Sequence, residues 1–253
     1  MSEQFFKFKE KFDPEEWSNI YDFSMRNNKN FIFKHGSELV EDTCSKISRP
    51  NELWLDIGCG PGHLAVKLSE KGLCVIGIDH DMRMIEFAKK LLPNLCQTNK
   101  ARFITSKAEI LPFADNTIDG ITAVSLTGCL SASDKFFEEV HRVLRKNGFA
   151  IITFTNRNSL LLKINGVLSR ALHMIRKPEE SDGPYSLYAC NEVVDMLQKI
   201  GFSVLNIRVH NFFLNIGNWL IPPKRVAIYC ERLNKYKINH RVGRNFIIVA
   251  QKT

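Results

Sequence analysis

Short apolar runs alternate with amphipathic segments from residue 52 to residue 155, and this alternation constrains the fold more than any other feature. The apolar runs cover residues 53–57, 74–79, 101–106, 118–125 and 149–155, and helical patterns lie over 63–68, about 81–92 and 133–145. Such an order is typical of a parallel sheet whose strands are joined by crossover helices. Pro93 is expected to help stop the helix over 81–92. The pattern predicts a doubly wound α/β core.

The second half of the chain departs from this rhythm. Apolar residues recur at helical spacing over 159–175, and a second apolar insert covers 211–223. Between and after these inserts, a helix is predicted over about 191–199, a strand over about 203–209 and a last strand over 246–250. The two inserts are therefore expected to lie outside the alternating core.

Charge and cysteine content narrow the class of protein. The chain of 253 residues has a net charge of +8, but residues 157–253 hold 15 basic and 6 acidic side chains, so the surplus lies in the last third. Seven scattered cysteines without a C-x-x-C pair indicate neither a disulfide framework nor a zinc site, and no metal is expected. No apolar run is long enough for a membrane span or a signal peptide. A cytoplasmic protein is predicted, with membrane association left open.

A glycine-rich turn follows the first strand, with the sequence Asp-Ile-Gly-Cys-Gly-Pro-Gly over residues 56–62. Glycines let the backbone turn tightly and approach a ligand, and ligands bind at this edge of an open α/β sheet. Asp79 ends the second strand 19 residues after Gly60, close to the spacing at which a carboxylate binds a ribose. A dinucleotide fingerprint needs glycine where His63 stands, and Asp56 would repel a pyrophosphate but hold an ammonium group. The turn predicts a nucleoside ligand that carries an amino acid.

Four segments together resemble the class I S-adenosylmethionine-dependent methyltransferases, in the subgroup that includes quinone-biosynthesis and other small-molecule enzymes. They are residues 55–62, 77–84, 108–113 with Asp119, and 139–144. The resemblance implies an α/β Rossmann-like sheet of seven strands, mostly parallel with an antiparallel last strand, plus helical lid insertions. It also implies one domain over 1–253, divided into an N-terminal helical cap (1–50), a cofactor-binding core (51–156) and substrate-side insertions (157–190 and 211–240).

The same resemblance implies S-adenosylmethionine as the cofactor and S-adenosylhomocysteine as the product. Asp79 is expected at the ribose hydroxyls, and His80 and Met84 against the adenine. Lys107 stands where the subgroup usually has aspartate. The backbone of Ala108 or the side chain of Glu109 would therefore have to accept the hydrogen bond of the adenine amino group. The other implied cofactor-binding residues are Asp56, Gly58, Cys59, Gly60 and Ser125.

Methyl transfer requires the nucleophile, methyl carbon and sulfur in line, and a base helps where the nucleophile is a hydroxyl or an amine. The loop after the fourth strand lacks the histidine of many relatives. The resemblance of the N-terminal segment places Tyr21 over the methyl-bearing end of the cofactor, unless the aromatic residues there only cover the sheet edge. His210 closes a strand near the expected pocket and is a candidate base.

The two apolar inserts fall where this fold builds its substrate lid. They favour methyl transfer to a small-molecule acceptor that is apolar or lipid-like. Whether this acceptor also carries an anionic group is left open. A packed lid, a dimer surface and a peripheral membrane contact all fit such helices. An RNA methyltransferase is the alternative indicated by the basic last third, but residues 125–128 lack the Asn/Asp-Pro-Pro-aromatic loop of base-amine enzymes, which disfavours nucleic acid. A non-catalytic partner protein with this fold is also left open.

Overall fold

A computed structural model describes residues 13–15, 18, 31–95, 100–130, 133–173, 186–212, 229–231 and 241–253. Its strands are β1 (Leu53–Ile57), β2 (Cys74–Asp79), β3 (Ala101–Thr105), β4 (Ile118–Ala123), β5 (Leu144–Thr155), β6 (Phe202–His210) and β7 (Asn245–Lys252). Its helices are α1 (Phe31–Ile47), α2 (His63–Glu70), α3 (Met82–Leu95), α4 (Ser133–Val143), α5 (Leu160–His173) and α6 (Cys190–Ile200), with a short 3₁₀ turn at Thr127–Cys129.

The strands form one sheet in the order β3-β2-β1-β4-β5-β7-β6. The first five strands pair in parallel, whereas β7 pairs antiparallel with both β5 and β6. This arrangement confirms the predicted doubly wound, seven-stranded sheet with an antiparallel last strand. The carboxyl ends of β1, β2, β4, β5 and β6 and the start of β7 therefore lie at one edge, which is where an open α/β sheet binds its ligands.

Buried side chains fill both faces of the sheet because successive residues of a strand point to opposite faces. On β1, Trp54 packs with the residues of α1 and α2, whereas Leu55 and Ile57 pack with those of α4 and α6. Helices on both faces explain why the central strands bury residues that point to either face. Each face has its own cluster of buried residues, and the sheet separates the two clusters.

Several element boundaries differ from the sequence-based prediction. The helix predicted to stop near Pro93 continues to Leu95, because proline in the last turn of a helix removes only one backbone hydrogen bond. The fourth strand ends at Ala123, two residues early, since Ser125 has a left-handed backbone with φ 57°. The fifth strand already begins at Leu144, which pairs with Ile118, so α4 is shorter than predicted.

The N-terminal cap and the insertions stay predictions. Most of the first 30 residues lies outside the described residues, and so do 174–185 and most of 213–240. One described contact joins the N-terminal segment to the core, because Ser18 Oγ lies 2.9 Å from His63 Nε2 at the first residue of α2. Within the described parts of the chain, no helix is both long enough and apolar enough to cross a membrane.

Candidate cofactor site at the carboxyl edge of the sheet

The glycine turn between β1 and α2 is fixed to the end of β2. The backbone N–H groups of Gly58 and Cys59 both donate to the carbonyl of Ile78, at 2.7 and 2.9 Å. Gly62 has φ 86°, and a Cβ there would lie 2.5 Å from the ring of Phe103, so only glycine fits. Gly60 has φ 51° with open space within 4 Å of a hypothetical Cβ. The turn is therefore held rigidly by its contacts with Ile78 and Phe103. It has open space at Gly60, where a ligand can approach the backbone.

Asp79 lies beside this open position. Its Oδ2 accepts a hydrogen bond from the Gly60 N–H at 2.9 Å, and its Oδ1 accepts one from the Asp81 N–H at 2.9 Å. His80 Nδ1 lies 3.2 Å from the same Oδ1. A carboxylate has about four lone-pair sites, so Asp79 retains capacity to accept hydrogen bonds from two neighbouring hydroxyls. This geometry fits the ribose role implied for Asp79.

Asp56 lies near the end of β1, just before the turn, and is 2 % exposed. Its Oδ1 accepts a hydrogen bond from Thr122 Oγ1 at 2.9 Å, whereas its Oδ2 has no hydrogen-bond partner among the described residues. The pKa of Asp56 is raised to about 7, mainly by burial and in part by the charge of Asp79, against the opposing effects of Thr122 and the Ala65 N–H. A buried carboxylate oxygen that lacks a partner is suited to an ammonium group. The site therefore fits a nucleoside with an amino-acid tail.

The residues predicted to hold the adenine lie near the ends of β2 and β3. The His80 side chain is half exposed, Met84 is buried in the first turn of α3, and Ala108 is nearly buried in the loop after β3, with Glu109 next to it. Ile110 in the same loop is 69 % exposed.

Cys59 lies within the turn but has no reactive thiol. Its Sγ lies 3.6 Å from the Gly60 carbonyl, and burial together with the charges of Asp79 and Asp56 raises its pKa well above the ordinary value. In this environment Cys59 is a small buried residue of the turn and not a nucleophile. In the described parts of the chain, no group of three or more His, Cys, Asp or Glu side chains is arranged to hold a metal ion.

The segment that follows β4 lies at the same edge of the sheet as the turn. The Ser125 N–H donates to Thr153 Oγ1 at 2.7 Å, and Thr127 Oγ1 donates to the Thr153 carbonyl at 2.9 Å. The Tyr188 hydroxyl donates to the Thr127 carbonyl at 3.0 Å, which brings the segment before α6 to this edge. Burial raises the pKa of Tyr188 above its ordinary value. Ser125 thus lies at the predicted edge, and Tyr188 lies beside it.

Of the two predicted catalytic residues, the structure describes only His210. Tyr21 lies outside the described residues. His210 ends β6 at the same edge as the turn but four strands away from β1, which corresponds to about 19 Å at the usual strand spacing. Its side chain is buried, and burial together with the charge of His35 lowers its pKa to about 3. The role of His210 stays a prediction, and a base of such low pKa is weak at neutral pH.

Comparison with known proteins finds a methyltransferase domain in the core of the chain. Residues 55–152 match a methyltransferase domain family, and this range contains the glycine turn, Asp79 and the end of β4. This part of the chain is thus similar to a methyltransferase domain, in agreement with the resemblance of its motifs to the class I S-adenosylmethionine-dependent methyltransferases.

Individual relatives of this chain include proteins that are named as methyltransferases. It is 32% identical over 115 residues to the ubiquinone/menaquinone biosynthesis C-methyltransferase UbiE of Blochmanniella floridana, which covers 44% of this chain and 45% of that protein. It is 25% identical over 159 residues to the sterol 24-C-methyltransferase of Kluyveromyces lactis, covering 62% and 42%. The chain thus matches about half of the length of these curated relatives.

A solved structure supports the same fold. The magnesium protoporphyrin IX methyltransferase of Synechocystis, solved with bound S-adenosylhomocysteine, superposes with a TM-score of 0.66 at 17% identity, over 94% of each chain. Sequence identity at this level shows only that the two chains share the fold.

Proposed function

We propose that this protein transfers the methyl group of S-adenosylmethionine to a small apolar or lipid-like acceptor. One observation carries the proposal: Asp79 accepts a hydrogen bond from the open turn at Gly60, and Asp56, at the end of β1 just before this turn, has an unpartnered carboxylate oxygen. Two carboxylates at these places match the two polar ends of the cofactor, its ribose hydroxyls and its ammonium group. The bound cofactor supplies an electrophilic methyl carbon on a positively charged sulfur.

The residues of the chain hold and orient this cofactor. Asp79 accepts hydrogen bonds from the ribose hydroxyls, and Asp56 with Thr122 receives the ammonium group. Gly58, Cys59 and Gly60 form the turn that lies beside the amino-acid part. His80, Met84, Ala108, Glu109 and Ser125 complete the cofactor residues proposed here. Rigid positioning by these groups supplies much of the rate acceleration of a direct displacement.

Support for an apolar acceptor comes from α5, which follows β5 at the ligand-binding edge. Leu160, Val167 and Leu168 leave large fractions of their side chains exposed on this helix. An exposed apolar stripe beside a binding edge indicates contact with an apolar molecule or surface. The names of the relatives from quinone and sterol pathways point to the same class of acceptor.

Product formation tests this proposal. Purified protein, labelled S-adenosylmethionine and a panel of quinols, sterols, phenols and short RNAs are incubated, and S-adenosylhomocysteine is quantified by mass spectrometry. We expect turnover with a member of the apolar part of the panel. Turnover with RNA alone would establish the nucleic-acid alternative, and cofactor binding without turnover on any acceptor would favour a non-catalytic partner protein.

A further inference from the structure

A second set of buried polar groups lies at the carboxyl end of β6, apart from the cofactor turn. It consists of His35 on α1, His210 and Asn211 at the end of β6, and Glu231, and we call it the β6 polar cluster. His210 is 3 % exposed and Asn211 is 1 % exposed. The rings of His35 and His210 meet edge to face with their centroids 6.1 Å apart. The cluster is thus a compact polar site inside an apolar region.

Three atoms of this cluster lack a hydrogen-bond partner among the described residues. They are both ring nitrogens of His210 and the amide oxygen of Asn211. The orientation of the Asn211 amide is fixed, because its Nδ2 donates to Asn245 Oδ1 at 2.9 Å. Native proteins satisfy about nine in ten buried polar atoms, so three adjacent exceptions require an explanation. A missing group that pairs with one ring nitrogen of His210 and with the Asn211 oxygen explains two of the three.

Glu231 holds the cluster in place. Its Oε1 accepts hydrogen bonds from the backbone N–H groups of Asn211 and Phe212, at 2.8 and 3.2 Å. Its Oε2 lies 3.2 Å from His35 Nε2. One carboxylate therefore ties α1 to the turn after β6. Asn211 itself has φ 61°, a left-handed conformation that asparagine tolerates better than most residues.

The unpartnered atoms define the chemistry of the missing group. The pKa of His210 is lowered to about 3, because the ring is buried and lies near the charges of His35 and Arg208. The Asn211 amide offsets this lowering of the pKa only in part. Its imidazole is therefore neutral and offers one N–H donor and one bare nitrogen acceptor. Asn211 Oδ1 offers a second acceptor. A hydroxyl group accepts a hydrogen bond from the His210 N–H and donates one to Asn211 Oδ1, so it matches one ring nitrogen and the amide oxygen, whereas an ether or a methyl group has no hydrogen to donate.

We propose that the β6 polar cluster binds a hydroxyl group of the methyl acceptor at the end remote from the methylated atom. His210 lies three strands from β4, which corresponds to about 14 Å, so the acceptor is an elongated apolar molecule with a polar end. This inference rests on the proposed function for the identity of the ligand. His210 and Asn211 are then binding residues that position the acceptor.

Nuclear magnetic resonance with two small probes tests the site without cofactor. Phenol carries the hydroxyl group, and anisole replaces it with a methyl ether of similar shape. We expect phenol to shift the ring signals of His210 saturably and to bind at least ten-fold more tightly than anisole, because a ligand without the donor leaves the buried acceptors unpaired. His210→Phe assigns the signals and removes the preference for phenol. The control His141→Phe, at a ring that packs on Phe202, keeps it.

Two results would overturn the inference. One is the absence of a saturable His210 shift with phenol, and the other is equal binding of phenol and anisole. A crystal structure of the phenol-soaked protein that retains an ordered water between His210 and Asn211 would also overturn the inference, since internal water then satisfies the hydrogen bonds of these atoms. If His210→Phe fails to fold by circular dichroism, the comparison of the two probes on the unsubstituted protein decides alone. Failure of methyl transfer does not affect this test.

Discussion

Ionisation of Asp56 should make the protein without cofactor less stable as the pH rises. Burial raises the folded-state pKa of Asp56 from 3.8 to about 7. A carboxyl group with a raised folded-state pKa favours the folded state below the unfolded pKa, and this contribution is lost as the pH rises through the folded pKa. The loss therefore develops between about pH 4 and pH 7, and it is complete above that window.

The size of this effect follows from the shift. A shift of about three pKa units corresponds to about 4 kcal/mol of unfolding free energy at full ionisation, on the order of 1.4 kcal/mol per unit. About 3 kcal/mol of this develops between pH 5 and pH 8. Asp56→Asn keeps the shape of the side chain and cannot ionise, so it should remove the penalty and stabilise the cofactor-free protein at pH 8.

Urea unfolding at pH 5, 6, 7 and 8 measures this effect. The stability gain of Asp56→Asn over the unsubstituted protein should grow by about 3 kcal/mol from pH 5 to pH 8. Asp195→Asn, an exposed site on α6, is the matched control and should show a constant difference. A gain for Asp56→Asn that is the same at every pH would refute the reasoning, because Asp56 would then not titrate in this range.

Three further predictions concern the turn and the core. Since the ammonium group needs an ionised Asp56, affinity for S-adenosylmethionine measured by calorimetry should fall about five-fold from pH 7 to pH 6, and Asp56→Asn should bind weakly at both; a flat profile for the unsubstituted protein would contradict this. Gly62→Ala should lower the melting temperature, because its positive φ and the close ring of Phe103 reduce the free energy of unfolding by roughly 2–4 kcal/mol. Gly166→Ala is the control: with open space around it, this variant should leave the free energy of unfolding unchanged or raise it by up to about 1 kcal/mol. Lys252→Met should cost about 2–3 kcal/mol in urea unfolding, since its ammonium group donates to three oxygen atoms within 2.9 Å; a loss under about 0.5 kcal/mol would show that these bonds contribute little.

The cofactor half of the fold could be predicted because its signals are local. The alternation of apolar runs, the glycine turn and the 19-residue spacing to Asp79 all lie within a short stretch of chain. The family resemblance added the antiparallel last strand, which the structure confirms. These features depend on neighbouring residues and on handedness rules, so no long-range pairing had to be known.

The remaining features depend on contacts between distant residues. Thr122 as the partner of Asp56 follows from the register of β1 and β4, which the sequence does not display. The distance of His210 from the turn follows from the insertion of β7 between β5 and β6. Pro93 lies inside α3 although proline is a helix stop signal in the sequence. Its position in the last turn of the helix explains why the helix does not stop there. The hydrogen bonds of Glu231 join three segments and have no sequence signal.

Isothermal titration calorimetry with S-adenosylmethionine tests the central claim most directly. The unsubstituted protein and the control Asp195→Ala should bind one cofactor with equal affinity. Asp79→Ala should bind about 100-fold more weakly, since it loses two charge-assisted hydrogen bonds of about 1.5 kcal/mol each to the ribose. Binding of S-adenosylmethionine by Asp79→Ala with unchanged affinity, or no binding by the unsubstituted protein, would contradict the account.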